Sequence, residues 1–232
     1  MAHGADSPAH SSLDQLNVWV FDLDNTLYPA TASLFPQIDV RMKRFIATSL
    51  GIPEDEAFLL QKRYYHEYGT TLRGLMLRHA IEPESFLAYV HAIDHSVLTP
   101  DPALRAGIER LPGRKLVFTN GSERHAVDVL RHLDLTETFE GIFDIRAAGY
   151  VPKPNLETYW RMVRQFGFDP ERAAMFEDSP KNLVPAADIG MTTVWVRPAA
   201  ADTVPWFVPL DEDVSHCHHV TDDLSAWLAR VV

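Results

Sequence analysis

The chain has 232 residues, 46% of them hydrophobic and 23% charged, and its 21 Lys+Arg against 32 Asp+Glu leave a formal net charge of −11. That apolar share is enough for a real core, and the negative balance repels phosphate backbones, which excludes a general nucleic-acid binder and requires any phosphate site to be local. The single cysteine, Cys217, rules out an internal disulfide and suits a reducing compartment, and no apolar run approaches the roughly 20 residues that span a bilayer.

Residues 1–12 are polar and rich in small side chains, without an apolar signal core; they are expected to be a disordered tail on a cytoplasmic protein. The run Val18-Trp19-Val20-Phe21-Asp22-Leu23-Asp24-Asn25-Thr26-Leu27 follows. Its continuous apolar start reads as a buried strand. Asp22 and Asp24 are two apart, so they share a face if the strand continues, and Asn25 favours a turn. Two acids thus emerge together at a strand's carboxyl end, where open α/β sheets bind ligands.

Helical patterns then occupy about 37–50, 54–68, 70–80 and 83–95, punctuated by Gly51-Ile52-Pro53, Gly69 and Pro83. From residue 100 strands and helices alternate. Strands are expected at 115–119, 141–145, 173–176 and 192–196, and helices at 123–133, 156–166, 180–188 and 222–231. This order predicts a doubly wound, mainly parallel α/β sheet made of residues 13–30 and 100–232. An all-helical cap over 31–99 is inserted after the first strand.

Three further strand ends or loops carry chemistry. Thr119-Asn120-Gly121-Ser122 runs from a strand into a helix, where the amides and the Thr hydroxyl make an anion site; a plain N-cap by Ser122 is the simpler reading of those residues alone. Pro152-Lys153-Pro154 fixes the backbone around a lysine, which can then place a point charge. Phe176-Glu177-Asp178-Ser179-Pro180-Lys181-Asn182 again sets acids at a strand end before a helix.

In this order the four motifs closely resemble those of the haloacid-dehalogenase-like (HAD) superfamily of phosphohydrolases, over roughly residues 17–197. The resemblance implies a Rossmann-like core and a reaction through an aspartyl-phosphate. Asp22 would be the nucleophile, and Asp24 the general acid and then the base. Thr119, the Asn120 and Gly121 amides and Lys153 would neutralise the transferring phosphate. Mg2+ would be held by Asp22, the backbone carbonyl of Asp24 and Asp178. Glu177 would serve the ion's water shell, with Ser179 and Asn182 behind it. Dehalogenases of the superfamily lack an acid at the position of Asp24, so its presence favours phosphate esters; a phosphomutase and a non-catalytic binding protein share the core and stay open.

The cap segment Tyr64-Tyr65-His66-Glu67-Tyr68-Gly69-Thr70-Thr71-Leu72-Arg73, together with Asp24-Asn25-Thr26-Leu27-Tyr28-Pro29, resembles the pyrimidine 5′-nucleotidase subfamily. The substrate implied is a small phosphorylated metabolite, a nucleoside monophosphate such as UMP or CMP, with Tyr68 and Arg73 as the specificity residues. A broad phosphatase acting on sugar phosphates is the alternative, and the protein is expected to be a monomer or a homodimer. His125 reads as the start of a helix rather than a site residue. His216-Cys217-His218-His219 reads as a late strand or loop rather than a metal cluster, because neighbouring strand residues point apart.

Overall fold

Six parallel strands form one sheet in the computed structural model, which describes residues 13–198 and 213–231. The tail expected over 1–12 and most of the proline-rich segment 198–210 lie outside the described residues. The strands are β1 (Val18–Phe21), β2 (Arg114–Phe118), β3 (Gly141–Phe143), β4 (Ala173–Glu177), β5 (Thr192–Val196) and β6 (His219–Thr221), in the order β3-β2-β1-β4-β5-β6. β1 is central, with Phe21 paired to Val117 on one side and to Phe176 on the other. The carboxyl ends of β1, β2 and β4 are therefore level, and the order of the strands reverses at β1, where such sheets bind ligands.

Alternation along the strands divides the core. Val18, Val20, Leu116, Phe118 and Met175 face one layer of side chains, while Trp19, Phe21, Val117, Ala174 and Phe176 face the other. The first layer is closed by α7 (Leu156–Phe166) and α8 (Pro180–Asp188), the second by α5 (Pro102–Arg110), α6 (Glu123–His132) and α9 (Leu224–Val231). Phe21 and Phe176 stack at 4.3 Å between ring centres, which locks β1 to β4 on that face.

Between β1 and α5 lie four helices, α1 (Phe35–Leu50), α2 (Glu54–Tyr68), α3 (Thr71–His79) and α4 (Pro83–Val90), with no strand among them. Their inward residues, including Ile38, Ile46, Tyr64, Leu75 and Phe86, continue the first apolar layer. α2 and α3 pack so closely that a Cβ on Gly74 would sit 2.4 Å from Tyr64 Cγ. α4 stops at Val90 rather than continuing to 95; a single 3-10 turn, His95–Val97, follows, capped by Asp94 accepting from the Ser96 amide. α5 has no counterpart in the sequence reading. Its start is Asp101, which accepts from the Ala103 amide, with Pro102 in the first turn. Among the described residues no helix is long and apolar enough to cross a membrane.

Candidate active site

Asp22 extends the β1 ladder by one residue, its amide donating to Phe176 O at 2.9 Å. The chain then turns: Asn25 has a φ of 63° and the Leu27 amide reaches back to Leu23 O. Thr26 Oγ1 donates to Asp22 Oδ2 at 3.1 Å. From the far side Lys153, only 1% exposed, sends its ammonium to Asp22 Oδ1 (2.7 Å), Glu177 Oε2 (2.7 Å) and Phe118 O (2.9 Å). All three Lys153 donors are thereby used, and the group is fixed between the ends of β1, β2 and β4.

The Lys153 backbone is itself held. Asn120 Oδ1 accepts from the Lys153 amide at 2.8 Å and Asn120 Nδ2 donates to Lys153 O at 3.4 Å. The Asn120 side chain thus positions the lysine loop, a role the sequence does not announce. Thr119 Oγ1 accepts from the Gly121 amide at 2.9 Å, which closes the turn at the head of α6. Glu177 Oε1 accepts from the Ser179 amide (3.3 Å) and Asn182 Nδ2 (3.1 Å). Both Glu177 oxygens are therefore engaged with protein groups, and Ser179 and Asn182 bear on the site through Glu177.

Among the described residues, Asp22, Glu177 and Asp178 place carboxylate oxygens within 4.8 Å of one another, close enough to share a metal ion. Three buried carboxylates face a single ammonium. Burial and then the charge of Glu177 push Asp22 up from 3.8 to about 7, against the pull of Lys153. Burial, Glu177 and Asp22 push Asp178 well above the ordinary carboxylate range. On the other side of the balance, Asp22 and Glu177 raise Lys153 even though burial alone would lower it. An all-oxygen set short of positive charge fits a hard divalent cation, which would relieve both raised acids.

Asp24 is handled differently. Its Oδ1 accepts from Tyr28 OH (2.6 Å) and from His125 Nε2 (2.8 Å). Burial alone would raise Asp24, but His125 and Tyr28 outweigh it and hold the carboxyl down to about 2. His125 stands in the first turn of α6 as its position after Ser122 predicts. The expectation that it stays out of the site is corrected, because the register of β2 beside β1 aims that helix face at Asp24.

The cleft over these groups, about 1000 Å³ including its open mouth, is walled by the helical insert. From the segment singled out in the sequence it takes Tyr65, Thr70, Thr71 and Leu72, but not Tyr68 or Arg73. Tyr68 instead lies edge-on to Tyr64, 5.5 Å between centres, four residues away on the same helix face. The packing of Tyr64 over Gly74 sets the phase of α2, and that phase gives the cleft Tyr65. Gln61 and Asp39, joined at 2.7 Å, supply polar groups on the same wall, where no sequence motif marks them. The late histidines go to separate partners: His216 Nε2 lies 2.7 Å from Pro180 O, His218 Nδ1 accepts from the Thr193 amide, and His219 begins β6.

Residues 16–190 match the family model described as haloacid dehalogenase-like hydrolase. Phosphate metabolism protein 8 of Saccharomyces cerevisiae is 29% identical over 192 residues, a match covering 75% of this chain and 59% of that protein. This chain thus spans about three fifths of the length of that curated relative. Solved structures that share the fold include the following two. The HAD phosphatase of Thermococcus onnurineus has a TM-score of 0.60 at 16% identity, over 91% of this chain and 96% of its own. The L-2-haloacid dehalogenase of Xanthobacter autotrophicus, with chloropropionic acid covalently bound, has a TM-score of 0.57 at 15% identity, over 93% and 98%. With three quarters of its length inside the family model and the four motifs gathered at one sheet edge, the chain belongs to the haloacid dehalogenase-like hydrolases.

Proposed function

We propose that this protein is a divalent-cation-dependent phosphomonoester hydrolase that works through an aspartyl-phosphate on Asp22. The observation that carries the reading is the meeting of Asp22, Lys153 and a charge-deficient acid cluster beside the Thr119–Gly121 turn. An Asp22 oxygen attacks phosphorus while the bond to the leaving alcohol oxygen breaks, and the alkoxide takes a proton from Asp24. Asp24 is ionised in the free protein and first takes up that proton from solvent or from the ester monoanion, as the phosphate's negative charge enters beside it. Water then attacks the aspartyl-phosphate, Asp24 accepts its proton, and Asp22 and inorganic phosphate are released. Lys153, Thr119 and the Asn120 and Gly121 amides neutralise the transferring group. The carboxylates of Asp22 and Asp178 and the backbone carbonyl of Asp24 would hold the ion, in our reading Mg2+. When bound it neutralises phosphate charge and orients the group for in-line transfer.

The four-helix insert acts as a cap that supplies the leaving-group pocket. We assign that pocket to a nucleoside, with pyrimidine 5′-monophosphates such as UMP and CMP preferred. Tyr65 offers a ring to a base, while Asp39 and Gln61 stand among apolar residues such as Phe35 and Phe86, where they would meet hydroxyl groups. The relative named for phosphate metabolism agrees with the general chemistry. The test is phosphate release across nucleoside monophosphates, sugar phosphates and an aryl phosphate, with Mg2+ and with EDTA. Turnover that needs Mg2+ and favours UMP and CMP is expected. A flat or sugar-biased profile would discard the nucleotidase and keep the phosphatase; no release from any ester would sink both.

A further inference from the structure

We propose that His125, together with Tyr28, is a positioning residue that presents one chosen oxygen of Asp24 to the reacting phosphate ester. The inference rests on the reading of Asp22 as nucleophile and Asp24 as acid and base. A carboxylate turns easily about its last bond, so either oxygen could face the cleft. Here both donors fall on the same oxygen: Tyr28 OH and His125 Nε2 each bind Oδ1. Oδ2 is left toward the phosphate turn, where a methyl group placed on Gly121 would come within 3.8 Å of it. The clamp selects the oxygen that works and keeps the group from turning about its last bond.

The imidazole can do this because it is itself immobile. His125 is wholly buried. The His91 ring lies on it in parallel, 4.4 Å between centres and 11° between planes. His95 Nε2 stands 3.4 Å from His125 Nδ1. Ser122 Oγ accepts from the His125 amide and lies 2.9 Å from His91 Nδ1, so one hydroxyl ties both rings to the start of α6. With an Asp24 oxygen as acceptor, Nε2 carries the proton in the bond to Asp24, and Nδ1 is the nitrogen turned to His95. His91 and His95 come from the end of the helical insert and its return to the sheet, whereas His125 comes from α6 and Asp24 from the β1 edge. The direction of the acid is thus set by three separate parts of the chain.

The role predicts a dependence on the leaving group. Phenyl phosphate needs a proton on its departing oxygen, while 2,4-dinitrophenyl phosphate does not, and the two have similar shapes. kcat/KM for each, with Mg2+, reports the first phosphoryl transfer. A misplaced acid should lower kcat/KM of His125→Leu for phenyl phosphate on the order of 100-fold. For the dinitrophenyl ester the loss should stay within about threefold, because that step does not use the proton. His125→Gln, which keeps a donor near the Nε2 position, should recover part of the difference. Tyr28→Phe, which removes the other bond to Oδ1, should show the same selectivity if His125→Leu does not fold. Equal losses on both esters, or no loss on either, would overturn the positioning role. A native protein that releases phosphate from neither aryl ester would overturn the proposal as stated for these substrates, and one that also releases none from UMP or CMP would overturn the phosphatase reading with it.

Discussion

Replacing Asp22 with Asn should make the metal-free protein more stable while abolishing its turnover. The amide has the same shape, and its oxygen can still accept from Lys153 Nζ, which also keeps Glu177 and Phe118 O. What disappears is one of three crowded negative charges. Asp22 is pushed up from 3.8 to about 7, first by burial and then by Glu177. At about 1.4 kcal/mol per pKa unit, that places the cost of ionising it in the fold at about 4 kcal/mol, an upper figure for the gain on substitution. The sign follows from proton counting. Between 3.8 and about 7 the native state holds a proton that the unfolded chain has lost, so native stability falls as pH rises through that window. The Asn variant lacks this fall. In EDTA at pH 8 it should melt higher by roughly 8–16 °C if the full figure is realised, since 1 kcal/mol moves a domain of this size by about 2–4 °C. Near pH 4 the two melting curves should converge, and Mg2+ should close the gap at pH 8 by stabilising the native protein alone. A variant that melts no higher than the native protein at pH 8, or a gap that ignores pH, would refute the charge argument; undiminished phosphate release would refute the nucleophile.

Lys153→Met should act in the opposite direction. It leaves Asp22 and Glu177 buried without their shared counter-charge, a loss expected to cost about 3–5 kcal/mol in denaturant unfolding at pH 8 and to abolish phosphate release. Glu84→Gln tests the clasp between α4 and the loop after β3, where Glu84 Oε1 accepts from Arg146 Nε and Tyr150 OH, each at 2.7 Å. Arg146 first and Tyr150 next hold Glu84 down to about 2, so its contribution is full above about 4.5 and is lost as pH falls through about 2. The pair is exposed, and the shift in stability at pH 7 should stay below about 1 kcal/mol, read from melting curves of variant and native protein.

The sheet was legible wherever local pattern suffices. β1 reads as a buried apolar run, and β5 and α8 occupy the predicted residues because Gly190 and Pro180 punctuate them. α5 was not, since Pro100-Asp101-Pro102 looks like a linker until Asp101 is seen capping a helix. The acids, Thr119 and Lys153 were legible as motifs, and the structure brings Asp22, Lys153 and Glu177 into direct contact. The partners of Asp24 were not. Whether His125 faces the sheet edge depends on β2 lying in register with β1, which no spacing within 120–133 contains. The insert shows the same limit. The aromatic segment is marked in the sequence, yet the helix phase that favours Tyr65 over Tyr68 comes from Tyr64 meeting Gly74 on a different helix.

The central place of β1 has a consequence in time. The strand that leads into Asp22 is made well before its partners: Val18 pairs with Arg114 on one side and with Ala173 on the other. At about 5–20 residues per second of synthesis, roughly 8–30 seconds pass between the making of β1 and of its second neighbour. Throughout that interval Val18-Trp19-Val20-Phe21 has an unpaired edge and no complete core to enter, while the helices of the insert can form from local contacts alone. The candidate site therefore comes together only after Glu177 and Asp178 are made, and a nascent chain that ends before Ala173 carries Asp22 and Lys153 without the second acid that shares the lysine.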